Sequence, residues 1–141
     1  MPDHVVNLDR FVAAQAEDYV TALAEIQQGA KRSHWMWYVF PQIAGLGQSP
    51  TARHYAIASL DEAKAYLAHP VLGQRLHECV EALDSLPATT AERVFGPVDA
   101  MKLRSSLTLF EAAGAAFGPT IERWFGDRDT RTIGLLTARP R

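Results

Sequence analysis

The chain has 141 residues, of which 48% are hydrophobic and 21% are charged, and this balance predicts one globular domain over residues 1–141 rather than a disordered chain. The formal net charge of −2 argues against general nucleic-acid binding, which usually needs a basic excess. The single cysteine, Cys79, excludes an internal disulfide, and no apolar run has the length of a signal peptide or a membrane span. We therefore expect a cytoplasmic protein that does not bind membranes.

In the first half of the chain, predicted helices alternate with loops and one aromatic segment. In chain order these are a helix opened by Asn7 and Asp9, a helix over about residues 18–28, the aromatic segment 33–40, the loop 45–50 and a short helix over residues 51–57. Gly29 is a plausible C-cap for the second helix, and Pro41 ends the aromatic segment. Ser49 followed by Pro50 is typical of a helix start.

The second half continues the helical pattern. It contains predicted helices over residues 59–68 and 70–84, a linker turn at 87–90, the longest helix from Gly96–Pro97 to near Phe117, and short helices over residues 120–125 and 130–138. Ser59 and Glu62 form a capping box. No segment alternates long enough for a strand, although a small two-stranded element near the glycine loop is compatible with the sequence. The pattern predicts an all-α, irregular single domain of about seven to nine mostly short helices.

The apolar stripes of these helices predict the core. The expected core residues are Leu23, Ile26, Leu72, Leu76, Val80, Leu103, Leu107 and Phe110.

Two of the three tryptophans lie in the aromatic segment, beside Lys31. A base or a nicotinamide ring could stack on such a tryptophan while a cation holds a phosphate. The candidate ligand-binding residues of this cluster are Arg32, His34, Trp35 and Trp37. The alternative is that the aromatic rings belong to the core. If the ligand hypothesis is right, at least one of Trp35 and Trp37 should expose a ring face beside a cleft.

The glycine loop, which runs from Gly45 to Thr51, could present backbone N–H groups to an anion, with Ser49 as a ligand-binding residue. It is not a P-loop, because the lysine-serine pair is absent. The alternative is an ordinary loop that ends in a helix cap.

Lys102 lies at the edge of the apolar stripe on the predicted long helix and shares one side of it with Asp99 and Ser106. A lysine at such an edge either snorkels to water or lines a cleft, where a desolvated amine could act as a base or nucleophile. The polar loop 127–131 leads into the final helix. Its carboxylates could bind ribose hydroxyls and an arginine could bind phosphate, the alternative being a solvated turn in which Asp129 caps the helix. We therefore name Lys102 and Asp127 as candidate catalytic residues, and Asp99 and Ser106 as ligand-binding residues.

Neither a metal nor another cofactor is expected. His77, Glu78 and Cys79 lie together, but no second histidine follows at i+4 and no cysteine pair exists. The sequence does not indicate an oligomeric state.

Four motifs together resemble a bacterial family, the domain-of-unknown-function 1810 family, over about residues 8–136. They are the aromatic run 34–42 with the glycines of 45–47, the segment 69–76, Phe95–Gly96 with Asp99, and the segment 102–110. The resemblance implies no settled activity. Some members carry the label calpastatin, but no repeated disordered inhibitor segment is present here.

The last third is more distantly similar to the NADAR superfamily, whose members act on ADP-ribose or related conjugates. Lys102 would match its lysine, although Leu103 stands where that superfamily has phenylalanine. The turn 125–127 and the leucine-rich segment 133–136 would match its last two motifs.

These observations lead to one preferred function and one alternative. The preferred function is binding or hydrolysis of an ADP-ribose-like or nucleotide-like small molecule, with cleavage of an N-glycosidic bond as the reaction. The alternative is a non-catalytic protein-interaction module. Convergence of Trp35, Ser49, Lys102 and Asp127 on one pocket would favour the ligand hypothesis, and their dispersal would favour the module.

Overall fold

Nine helices make up the secondary structure of residues 7–138, the part of the chain that the computed structural model describes. They are α1 (Asp9–Gln28), α2 (Met36–Val39), α3 (Pro50–His54), α4 (Leu60–Ala68), α5 (Leu72–Asp84), α6 (Ala91–Phe95), α7 (Pro97–Ala112), α8 (Gly118–Phe125) and α9 (Thr130–Ala138). The prediction of an all-α domain of mostly short helices is confirmed. The outermost residues of the predicted 1–141 domain, 1–6 and 139–141, lie outside the described part.

The two helices predicted at the start of the chain are one continuous helix, α1. No glycine or proline separates them, and Gln15 in the middle is buried and donates a hydrogen bond to the backbone oxygen of Tyr38. Gly29 ends α1 with a φ of 72°, the left-handed conformation expected of a glycine cap. At 20 residues, α1 is longer than the 16-residue α7, so the prediction that the helix after Gly96 is the longest is wrong.

Two further differences concern the connections. The short helix α6 was not predicted, although Thr90 caps it by accepting a hydrogen bond from the Arg93 N–H at 3.1 Å. Near the glycine loop, Ile43 and Ile57 form an isolated parallel bridge. Within the described residues this bridge takes the place of the small two-stranded element, and it closes the loop at its base.

The core lies along a series of packed helices, in which α1 packs on α5, α5 on α4 and α4 on α7. The α7 stripe is completely buried at Leu103, Leu107 and Phe110. Of the eight predicted core residues, Leu23 is only partly buried and the other seven are buried. Near the start of α7, Lys102 contacts Asp99 and the Trp37 ring of the aromatic segment.

No helix formed by residues 7–138 has the length and apolar character needed to cross a lipid bilayer.

Candidate functional site

A buried carboxylate, Glu25, holds the start of the aromatic segment in place. It accepts hydrogen bonds from the backbone N–H groups of Arg32 and Ser33 at 2.9 and 3.0 Å, the Ser33 hydroxyl at 2.7 Å and the Trp35 indole N–H at 2.8 Å. Burial raises the pKa of Glu25, but these hydrogen bonds together lower it from 4.5 to about 2. The carboxylate is therefore charged at neutral pH and fixes the chain around it.

The two tryptophans of the segment have different environments. Trp35 is 0% exposed and packs against Phe40 and Phe95 with ring centroids 6.4 and 6.3 Å apart. It is part of the core, and no ring face is left for a ligand. Trp37, on the short helix α2, is half-buried and lines a cleft. The expectation that one of the pair borders a cleft is therefore met by Trp37.

Asp99 bridges two lysines at the start of α7. One carboxylate oxygen lies 2.8 Å from the ammonium of Lys31, and the other lies 3.5 Å from the ammonium of Lys102. The Lys102 ammonium also lies over the Trp37 ring, 4.7 Å from its centroid. Lys102 is 22% exposed, so its amine sits at the border of the protein between a carboxylate, an aromatic face and solvent.

Lys102 lines a cleft of about 200 Å³, here named the Lys102 cleft. Its walls come from the glycine loop, from α7 and from the start of α9. The lining residues are Gln42, Leu46, Gly47, Val98, Met101, Lys102, Ser105, Asp129 and Arg131. Two cations and one carboxylate thus meet in one concave region.

Asp129 is the carboxylate of this cleft, and hydrogen bonds fix its orientation. Its Oδ2 accepts from the backbone N–H of Thr132 at 3.0 Å and from the Thr132 hydroxyl, while its own N–H donates to the Thr108 hydroxyl at 3.0 Å. The Ser105 and Thr132 hydroxyl oxygens lie 3.0 Å apart. Within residues 7–138, Oδ1 has no hydrogen-bond partner, so the second oxygen is available to a ligand.

A second cleft, here named the aromatic cleft, contains Trp37, whose ring lies beneath the Lys102 ammonium of the first cleft. It measures about 430 Å³ and is lined by His34, Trp37, Tyr38, Pro50, Thr51, His54 and Tyr55. The glycine loop separates the two clefts: Leu46 and Gly47 line the first, and Pro50 and Thr51 line the second.

The set expected to converge on one pocket does not do so. Of Trp35, Ser49, Lys102 and Asp127, only Lys102 lines the Lys102 cleft. Ser49 is exposed and caps α3 by accepting a hydrogen bond from the Ala52 N–H at 3.1 Å. Asp127 is exposed, and its carboxylate accepts from the neighbouring backbone N–H of Arg128. By this criterion alone, the original set favours the interaction module.

The remaining candidates occupy three kinds of position. His34 lines the aromatic cleft, whereas the exposed Arg32 contributes its backbone N–H to Glu25. Ser106 is completely buried, and its hydroxyl has no hydrogen-bond partner among the described residues. Asp99 contacts both lysines and positions Lys102 without itself lining the cleft.

Three residues of the cleft are not among the site residues named from the sequence: Ser105, Asp129 and Gly47. Gly47 nevertheless belongs to the glycine loop, and Asp129 to the polar loop 127–131. Asp129 had a signal, since it directly precedes the last helix and caps it. Gly47 is required by packing, because a Cβ there would lie 2.5 Å from the Cβ of Ala52. This contact brings the loop close to α3 and shapes one wall of the cleft.

Two other chemistries lack a geometric basis in the described part of the chain. No group of three or more histidine, cysteine or acidic side chains there could hold a metal ion. Cys79 is buried, and burial raises the pKa of its thiol to about 12. A thiol with such a pKa stays protonated at neutral pH and is a poor nucleophile.

The fold and the cleft define a small all-α protein with a mixed-charge cleft beside a half-buried tryptophan. The family model described as "Protein of unknown function (DUF1810)" matches residues 5–136, and the chain belongs to this family. The crystal structure of the conserved hypothetical protein Rv1873 from Mycobacterium tuberculosis superposes on the chain with a TM-score of 0.91. The two share 47% sequence identity over 94% of this chain and 97% of that protein. No curated protein sequence matches significantly.

Proposed function

We propose that this protein binds a small anionic molecule, nucleotide-like or ADP-ribose-like, in the Lys102 cleft. The observation that carries the proposal is the meeting of Lys102, Arg131, Asp129 and Ser105 in one concave region beside Trp37. A cleft with a few convergent polar groups is the usual form of a small-molecule site. The original four candidates scatter, but this different set does converge.

The two cations supply the anion-binding part of the site. The Lys102 ammonium makes no hydrogen bond within residues 7–138, and its Asp99 partner is shared with Lys31. Arg131 has no ion pair in the same range and presents a planar guanidinium suited to phosphate. Both side chains therefore retain donors for a ligand.

The Asp129 carboxylate would bind the sugar. Its Oδ1 is available and its orientation is fixed by α9, so it would accept hydrogen bonds from ribose hydroxyls. In this arrangement Asp129 takes the role that the sequence suggested for Asp127. The half-buried ring of Trp37 would stack on an attached ring system.

Hydrolysis at the anomeric carbon is the reaction that fits such a ligand. Water would add to that carbon as the bond to the ring nitrogen breaks; with NAD the electron pair of that bond returns to the pyridinium nitrogen, nicotinamide leaves as a neutral base, and the proton of the water is released to solvent. Asp129 would stabilise the oxocarbenium-like charge. We expect incubation with NAD to release nicotinamide, which chromatography of the products measures. A mixture without nicotinamide would contradict hydrolysis and leave binding as the function.

A thermal-shift screen tests the binding proposal. The panel contains NAD, ADP-ribose, adenosine monophosphate and inorganic phosphate. At a hundred times its dissociation constant, a ligand stabilises the fold by about 2.7 kcal/mol. We expect at least one organic phosphate to raise the melting temperature more than inorganic phosphate does. No shift with any member of the panel would contradict the proposal.

The interaction module is the second candidate, and one observation favours it. Val98 and Met101 are 65% and 69% exposed on α7, at the rim of the Lys102 cleft. Exposed apolar side chains around a cleft are also typical of a protein-binding surface. This alternative predicts no response to the ligand panel.

Two further proposals concern the cellular location of the protein and its binding of nucleic acid. We place the protein in the cytoplasm, supported by its single buried cysteine. We also propose that it does not bind nucleic acid in general, supported by the net charge of −2.

A further inference from the structure

We propose that the aromatic cleft is the ring-binding half of the same site and takes the base of a nucleoside phosphate whose phosphate lies at Lys102. This inference rests on the proposed function and names its ligand class. The two clefts are linked by one contact: Lys102 lines the first, Trp37 lines the second, and the Lys102 ammonium lies 4.7 Å from the centroid of the Trp37 ring. One molecule with a ring and a nearby anion therefore fits both clefts together.

The walls of the aromatic cleft suit a planar ring. Most of its lining side chains carry rings, and they are Trp37, Tyr38, Tyr55, His34 and His54. Tyr55 is held by ring contacts with Tyr38 at 5.0 Å, His54 at 4.6 Å and Phe11 at 6.1 Å. These rings are ordered before a ligand arrives, so stacking on them requires little further loss of freedom.

Within residues 7–138, the aromatic cleft offers no carboxylate to a bound cation. Among the described residues that line it, none is acidic, so the carboxylate that would neutralise a bound cation is absent. The Asp18 carboxylate behind the wall already accepts the Tyr38 hydroxyl hydrogen bond.

Polar side chains in the aromatic cleft can form hydrogen bonds with the edge of a base. The imidazoles of His34 and His54 make no hydrogen bonds within residues 7–138, and the Thr51 hydroxyl lies beside them. Bases are commonly recognised by stacking together with hydrogen bonds to their edges.

Isothermal titration calorimetry of the full chain with adenosine monophosphate and with ribose 5-phosphate tests the inference. Stacking strengthens binding roughly tenfold to a hundredfold per base, so we expect the nucleotide to bind at least tenfold more tightly. His54→Ala should remove most of that advantage while leaving the affinity for ribose 5-phosphate unchanged. Trp37→Leu should remove the advantage and also weaken ribose 5-phosphate binding, because the Lys102 ammonium loses the ring beneath it. His77→Ala, an exposed histidine outside both clefts, is the matched control and should behave as the wild type.

Failure of the two proposals can be distinguished. Equal affinities for the two probes, or a nucleotide advantage that survives both cleft variants, would overturn the ring subsite and leave the anion site standing. Absence of binding by both probes to the wild type would overturn the anion site, and the ring subsite with it.

Discussion

Two lysine–tryptophan pairs lie on opposite sides of Asp99, and they differ in how completely they are satisfied. Lys31 lies over Trp35, with its ammonium 4.9 Å from the ring centroid, and is only 6% exposed. Lys102 lies over Trp37 at a similar distance, but it is 22% exposed and lines a cleft. The same pair of residue types thus serves the core in one case and a cleft wall in the other.

The difference comes from the groups that surround each pair. The Lys31 ammonium bonds to the Ser33 backbone oxygen as well as to Asp99, and the Trp35 indole N–H is bound by Glu25. The Lys31 ammonium therefore has two acceptors, and the Trp35 indole N–H has one. Lys102 has only the more distant oxygen of Asp99. The Lys102 ammonium, which has one distant acceptor and lies at the edge of a cleft, is therefore a better candidate for ligand binding than the buried Lys31 ammonium.

The largest effect should come from breaking the buried pair, Lys31 and Trp35. Trp35→Ala should destabilise the fold by about 3–5 kcal/mol, because it leaves a cavity and removes a partner of Glu25. Trp37→Ala, the matched control two residues away, should cost only about 1–2 kcal/mol because the ring is half-buried. Urea denaturation measures both. Equal losses would mean that the two tryptophans have the same structural role.

Acid should destabilise the packing around Lys31 and Trp35, which Glu25 holds in place, more than the packing around Lys102 and Trp37. The pKa of Glu25 in the folded protein is about 2, below its ordinary value of 4.5, so its contribution is present above pH 4.5 and is lost as the pH falls towards 2. Glu25→Gln should cost roughly 1–3 kcal/mol at pH 7 and should flatten this acid dependence.

Melting temperatures at pH 7, 5 and 3 check the Glu25 prediction. Glu81→Gln, at an exposed position on α5, is the control and should keep the acid dependence of the wild type. An unchanged acid dependence in Glu25→Gln would show that this carboxylate is not the group responsible.

Much of the fold could be predicted from the sequence because helix caps and apolar spacing are local signals. The glycine cap at Gly29 and the stripe through Leu107 are examples. The continuity of α1 was missed because its middle carries polar residues such as Gln15, whose burial depends on Tyr38, far along the chain. Tertiary contacts of this kind leave no local pattern.

The candidate site was predictable to a smaller extent. Lys102 was selected by its place at the edge of a stripe, and the structure places it in a cleft. The choice between Asp127 and Asp129 depends on which carboxylate the start of α9 turns inward, and the choice between Trp35 and Trp37 depends on Glu25. The Asp129 cap on Thr132 is local, but the contact of Asp129 with Thr108 spans 21 residues and that of Trp35 with Glu25 spans 10. Neither of these two contacts leaves a pattern in the local sequence.

The most direct test of the Lys102–Trp37 pair compares variants of the three lysines of the chain. Lys102→Met keeps the apolar stem and removes the charge, so stability should change by less than about 1 kcal/mol. Lys64→Met, on an exposed face of α4, is the neutral control, and Lys31→Met should weaken the fold because it leaves Asp99 without its closest partner.

The decisive measurement is the thermal shift that these variants show with the strongest organic phosphate of the ligand panel. We predict that the shift disappears in Lys102→Met at nearly unchanged stability and persists in Lys64→Met. A full shift in Lys102→Met, or a weakened fold with the shift intact, would contradict the assignment of Lys102 to the binding site.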